Sequence, residues 1–363
     1  MTRNELLKRL QVDHPIILAP MAGGPSTPEL AAAVSSAGGL GSLGAAYMTP
    51  VEITQAVARV RALTDKPFAI NLFTGGRGLG GTVDPRPMLD LLSQIHAHFK
   101  LPQPEVPKVP ADPLDEQLEA VADTRPAAFS FTFGIPSAGA IARLKALGIV
   151  IMGTATTVEE GRLLAQAGAD AIIAQGSEAG GHRGTFAGAF ETAMVPTLDL
   201  VRGIAAIVPL PVIASGGLMD GREIAQAMQA GASAAQLGTA FLPCPECGAA
   251  EAYKRAILDA REDTTVITRA FSGRPARGLA NEFIARLAGH EDTILPYPMQ
   301  NMLTRAMRTA AAKQGEAGYL SLWAGRSVTR ARELPAGELV CCLVKEVSQA
   351  FAETALRIAS SPG

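Results

Sequence analysis

Eight times between Pro15 and Leu237 a short apolar or β-branched run is followed by a turn, and in most cases then by an Ala-rich stretch of helical period. The runs fall at residues 15–19, 39–42, 68–72, 128–132, 149–153, 171–175, 212–215 and 234–237. Strands separated by helices run parallel, because each crossover returns the chain to the same end of the sheet. Eight such units of about 250 residues close into a barrel. The expected fold is therefore α/β, a TIM (β/α)8 barrel, with an open doubly wound sheet as the alternative. Composition agrees: 48% apolar and 18% charged residues suit strands buried on both faces.

Helix signals set the register of these units. Thr27 caps a run opening with Pro28, Thr49 precedes Pro50, and Asp220 opens a run containing Ile224, Ala227 and Met228. Two segments break the repetition. Residues 75–110 are rich in Gly and Pro and are expected to form a long loop with a helix near 88–99. Beyond Pro243 the chain has helical periodicity and no convincing strand. The expected division is a barrel over 1–242, a mainly helical substrate-lining domain over 243–327, and a C-terminal helix over 328–363 that returns to the barrel.

A net charge of −2 and the lack of a long basic run argue against nucleic acid as partner, so an anionic substrate needs a local site. No signal-peptide core and no stretch of about 18 apolar residues is present, which predicts a cytoplasmic protein away from the membrane, as monomer or homodimer. Cys244, Cys247, Cys341 and Cys342 are too few for a disulfide framework. The Cys244-Pro-Glu-Cys247 pair has no further ligands nearby, so no metal is expected. Gly39, Gly41 and Gly44 spell G-x-G-x-x-G, but a helix precedes them where a dinucleotide fingerprint requires a strand.

The informative stretch is Ala174-Gln-Gly-Ser-Glu-Ala-Gly-Gly-His-Arg-Gly-Thr-Phe186, following the sixth run. Barrels keep their chemistry at the C-terminal ends of strands. Glycines there let the backbone approach a planar ligand, and His182 projects from among them. Ser215-Gly216-Gly217 and Gly238-Thr239 follow the seventh and eighth runs, where amides at a helix N-terminus suit a phosphate.

With these motifs the chain resembles the class I nitronate monooxygenases, once called 2-nitropropane dioxygenases. The likeness runs from Pro15-Ile-Ile-Leu-Ala-Pro-Met21 and Lys66-Pro-Phe-Ala-Ile-Asn-Leu72, through the His182 loop and Ala214-Ser-Gly-Gly217, to Ser272-Gly-Arg-Pro-Ala-Arg-Gly278 and Leu322-Trp-Ala-Gly325. The resemblance implies FMN as cofactor, a small nitronate and O2 as reactants, and no nicotinamide. It places Met21 against the flavin, with Asn71 and Gln175 at its edge. Gly180, Gly181, Ser215, Gly216, Gly217, Gln236, Gly238 and Thr239 would complete the cofactor site.

His182 matches the family's active-site histidine. It would act as base on a neutral nitroalkane, or hold a nitronate anion as a protonated or hydrogen-bonding group. Tyr297, Asn301 and Arg305 match substrate-binding positions, but Asn301 and Arg305 stand where the family has Tyr and Lys. Arg305 retains a charge suited to a carboxylate such as that of propionate 3-nitronate, whereas Asn301 removes an aromatic wall. The family's aromatic residue before the fourth strand also has no counterpart in 105–115. The alternative is an FMN-dependent NAD(P)H enoyl-acyl-carrier-protein or quinone reductase, a related barrel with a similar Ala-Gly-Gly-His segment.

Overall fold

The computed structural model describes residues 3–75, 83–261 and 264–360; part of the 75–110 loop lies outside them. Eight parallel strands form the central sheet: β1 (Ile16–Leu18), β2 (Gly41–Gly44), β3 (Phe68–Phe73), β4 (Ala128–Thr132), β5 (Val150–Ala155), β6 (Ala171–Gln175), β8 (Val212–Ser215) and β9 (Ala232–Leu237). The short β7 (Gly181–His182) lies between β6 and β8 in the chain and belongs to a second sheet. The barrel order is β1-β9-β8-β6-β5-β4-β3-β2. A parallel bridge between Ile17 and Leu40 joins its two ends. Leu18 N–H donates to the Leu40 carbonyl and Leu40 N–H to that of Ile16, each at 2.9 Å. The barrel thus closes, and the open-sheet alternative falls.

The helix signals act as expected. Thr27 accepts from Leu30 N–H, Thr49 and Glu52 form a reciprocal capping box, and Asp220 accepts from Arg222 and Glu223 N–H. The glycine triplet has a packing explanation. A Cβ on Gly41 would lie 2.7 Å from the Ala31 carbonyl carbon and closer still to its oxygen. Helix Pro28–Ser36 therefore rests directly on β2, and no helix opens within the triplet.

Strand side chains alternate between two cores. Ile17, Ala69, Ala128, Val150, Met152, Ala171, Ile173, Ile213 and Ala234 fill the barrel interior, with Leu6 and Leu10 of the first helix (Arg3–Leu10) packed against them. Their neighbours, among them Ile16, Ile70, Phe129, Ile151, Ile172 and Ala235, pack outward beneath the helices. Two residues further along the inward parity come Asn71, Ser130, Thr154, Gln175, Ser215 and Gln236. The barrel is apolar at one end and polar at the C-terminal end of its strands.

Residues 243–327 contain helices, including Glu251–Leu258, Met299–Leu303 and Arg305–Gln314, but also two strands that the periodicity did not reveal. These are β10 (Thr265–Thr268) and β11 (Ala276–Leu279), antiparallel to each other, with β7 on the far edge of β11. Each is only four residues long, and the face of β11 carries the buried Arg277, so the apolar alternation that marks a strand is missing. The final helix, Ala336–Ser360, packs on helices Gly221–Gln229 and Pro28–Ser36 of the barrel.

Gly41→Ala should lower unfolding stability by about 3 kcal/mol, since the clash is with backbone and cannot be relieved by a rotamer change. A urea midpoint unchanged from wild type would refute that packing.

Candidate active site

Gln175, the last residue of β6, organises the loop that carries His182. Its Nε2 donates to the His182 carbonyl at 2.9 Å, and its Oε1 accepts from Gly184 N–H at 2.8 Å. Glu178 anchors the same loop by accepting from the Thr197 amide at 2.9 Å and hydroxyl at 2.8 Å. From the other side Arg277 Nε donates to the Ser177 carbonyl at 3.0 Å, and β11 pairs Ala276 with His182 and Arg277 with Gly181. The histidine is therefore fixed by the barrel and by the C-terminal segment together. Each end of the Gln175 amide serves the loop once and keeps one further donor and one further acceptor.

Above the polar end of the barrel lies a cavity of about 670 Å³. Met21, Asn71, Gln175, Gly180, Gly181, His182, Ser215, Gly216, Gly217, Gln236, Gly238 and Thr239 line it, as do Asn301 and Arg305. Asn71 Nδ2 donates to Ser130 Oγ at 2.9 Å. Gly216 and Gly217 have φ of +123° and +70°, a conformation that favours glycine. The C-terminal segment closes this end: Ser327 Oγ donates to the Gly217 carbonyl at 2.8 Å, and Gly325 N–H to Thr239 Oγ1 at 2.9 Å.

Tyr297 is the exception among the expected residues. It is buried and absent from the cavity wall, where Tyr47 stands in front of it and shares a hydrogen bond with it. Burial holds the Tyr47 hydroxyl protonated. The aromatic wall that the sequence had seemed to lose comes from residues at the ends of the early barrel strands. Tyr47 meets Phe73 at 5.6 Å between ring centroids, Phe73 meets Phe133 at 4.7 Å, and Phe133 meets His182 at 5.9 Å. Trp323 packs on the other side of His182 at 5.4 Å. Their positions at or just after the C-terminal ends of β2, β3 and β4 were the available signal for this wall.

Two arginines also escaped the sequence reading. Arg274 stacks over Phe133 at 3.9 Å and lies 5.2 Å from the Tyr297 ring. Arg308 lines the cavity, and its guanidinium donates to the carbonyl and side-chain oxygens of Asn301 at 2.7 and 2.9 Å. Its Nε has no hydrogen-bond partner among the described residues. Burial pushes the Arg308 pKa down to about 10, with nearby Arg305 adding to the shift, which still leaves it charged at neutral pH. Arg305, Arg308 and Lys313 are the charged residues among those lining the cavity, and no carboxylate is among them.

This environment decides the state of His182. Burial first, then the positive charges of Arg274 and Arg308, push its pKa down to about 3. With that pKa the imidazole is neutral at physiological pH, which favours the hydrogen-bonding form of the expected His182 role over the protonated one. The four cysteines are free, Cys244 and Cys247 are buried, and burial raises both thiol pKa values. No group of metal-ligating residues occurs among the described residues, and no helix there is long and apolar enough to cross a membrane.

Fold and cavity define a TIM barrel whose candidate site lies at the C-terminal face of the strands. A family model described as nitronate monooxygenase matches residues 4–346. The chain is 44% identical over 342 residues to a nitronate monooxygenase of Pseudomonas aeruginosa, covering 93% of this chain and 97% of that one. It is 40% identical over 342 residues to a probable nitronate monooxygenase of Staphylococcus saprophyticus, covering 94% and 96%. Among solved structures, nitroalkane oxidase from Streptomyces ansochromogenes matches with a TM-score of 0.90 at 42% identity, over 96% of this chain and 99% of that one. FabK from Thermotoga maritima matches less closely, with a TM-score of 0.76 at 29% identity, over 97% and 98%. The chain belongs to the nitronate monooxygenase family.

The His182 pKa makes a stability prediction. Below pH 6.5 the unfolded chain binds a proton at this residue that the folded chain refuses until about pH 3. Stability should therefore fall with pH through that window, by up to about 1.4 kcal/mol per pH unit from this group. Replacing His182 with Asn should flatten the fall in urea midpoint between pH 7 and pH 5; equal slopes for both proteins would contradict a neutral buried ring.

Proposed function

We propose that the cavity binds FMN and that the protein oxidises alkyl nitronates, such as propionate 3-nitronate, with O2 and without nicotinamide. The observation that carries this reading is the cavity wall itself: three cations, no carboxylate, and a neutral histidine. Such a wall selects a small anion, and a nitronate is one.

The residues suit the cofactor. Ser215, Gly216 and Gly217 end β8 ahead of helix Gly221–Gln229, and Gly238 and Thr239 end β9 at a 3-10 turn, a place where backbone N–H groups favour a phosphate. A Cβ on Gly238 would lie 3.8 Å from the Met21 sulfur, so the two are neighbours on the cavity wall. Bound there, FMN supplies the electron acceptor that O2 reoxidises.

The chain's own residues do the rest. Arg308 and Arg305 draw in the nitronate and offset its charge, and Asn301 orients the Arg308 guanidinium. The aromatic wall from Tyr47 to Phe133 excludes water, which strengthens these charge interactions. For a neutral nitroalkane, His182 accepts the α-proton, a contribution of about 10²–10⁴ in rate.

An anaerobic titration tests the reading. Propionate 3-nitronate should bleach the flavin absorbance and, in air, drive oxygen uptake; bleaching by NADPH alone would instead favour the reductase alternative. Arg308→Ala should raise the nitronate KM by about 10- to 100-fold, the worth of one charged hydrogen-bonding partner. His182→Ala should retain FMN and lose about 10²–10⁴ in nitroalkane turnover. Full nitroalkane activity in that variant would remove His182 from the mechanism.

A further inference from the structure

The side chain that touches the His182 ring by a hydrogen bond is Ser272, whose Oγ lies 2.8 Å from Nε2. Ser272 is buried at 1% exposure, in the turn between β10 and β11. Its Oγ is also within hydrogen-bond distance of both backbone groups of Arg274, accepting from the amide at 3.3 Å and donating to the carbonyl at 3.3 Å. A hydroxyl has one hydrogen and two lone pairs. With its hydrogen directed to the Arg274 carbonyl, both lone pairs are left to receive N–H groups, from Arg274 and from His182 Nε2. All three contacts are then satisfied together. The reverse arrangement, in which Ser272 donates to Nε2, withdraws that donor from the Arg274 carbonyl.

Which nitrogen of a neutral imidazole carries the proton is set by the hydrogen bond that the other makes. Nδ1 has no hydrogen-bond partner among the described residues, and the ring lines the cavity. Burial, with Arg274 and Arg308, disfavours the imidazolium, so one of the two nitrogens keeps a lone pair. We propose that Ser272 is a positioning residue that holds His182 in the Nε2–H tautomer, so that Nδ1 faces the cavity as a proton acceptor for a neutral nitroalkane.

This inference rests on the nitronate-oxidising function proposed above and extends it to the carbon acid. In the step, the α-C–H proton moves to Nδ1 and the C–H electron pair becomes the C=N bond of the nitronate. The displaced N=O pair settles on oxygen, where the arginines receive the charge. Nε2 keeps its hydrogen and its bond to Ser272. A nitronate, already deprotonated, bypasses this step.

The test uses holoenzyme labelled with ¹⁵N at histidine, with the His182 signals identified by their loss in His182→Asn. At pH 7 the wild type should show a protonated Nε2 and a bare Nδ1. Ser272→Ala should shift that pattern toward the other tautomer, and Ser272→Thr, which keeps the hydroxyl, should restore it. In kinetics, Ser272→Ala should lower kcat/KM for nitroethane at least tenfold more than for ethyl nitronate. A wild-type Nδ1–H tautomer, an unshifted pattern in Ser272→Ala, or equal losses on both substrates would each overturn the proposal. Wild-type enzyme that turned over the nitronate but not nitroethane would overturn the base role while leaving the nitronate function intact; no turnover of either would count against the function itself.

Discussion

The site depends on the two-residue period of strands inside a closed barrel. Once Ile17 and Leu40 join the first and second strands, every second residue is committed to the interior. At one end those positions are filled by alanine and aliphatic side chains, with Leu6 and Leu10 packed on them. At the other end the same parity presents Asn71, Ser130, Thr154, Gln175, Ser215 and Gln236. Polar groups there are not left without partners: Asn71 bonds Ser130, and Gln175 holds the His182 loop. The apolar layer fills the barrel and the polar layer floors the cavity, both from one geometric rule.

The barrel alone does not make the active site. His182 sits on a two-residue strand whose partner, β11, comes from almost a hundred residues later in the chain. That partner brings with it Arg277, which binds the glycine loop, and Ser272 and Arg274, which surround the imidazole. The segment around Trp323 to Ser327 then covers the other side of the ring and the turn at Gly217. Charge is distributed accordingly: the cations of the cavity wall come from the helix Arg305–Gln314, and the neutral histidine from the loop after β6. In the proposed function the arginines hold an anion, while burial and their field disfavour a proton on the histidine.

Sequence alone determined the βα repeat, the strand ends to within two residues, the helix caps at Thr27, Thr49 and Asp220, and the glycine loop with its histidine. These are local: each is written in periodicity or in a residue type that one backbone conformation demands. Nearly every site residue it singled out lines the cavity, because residues that follow strand ends in a barrel must converge at one face. Tertiary structure decided the rest. Only packing could place Tyr297 behind Tyr47, build an aromatic wall from Tyr47, Phe73 and Phe133, or bring Arg274 and Ser272 to a histidine some ninety residues away. Only packing could set the charge on that histidine, since desolvation and the field of distant arginines exist only in the folded chain.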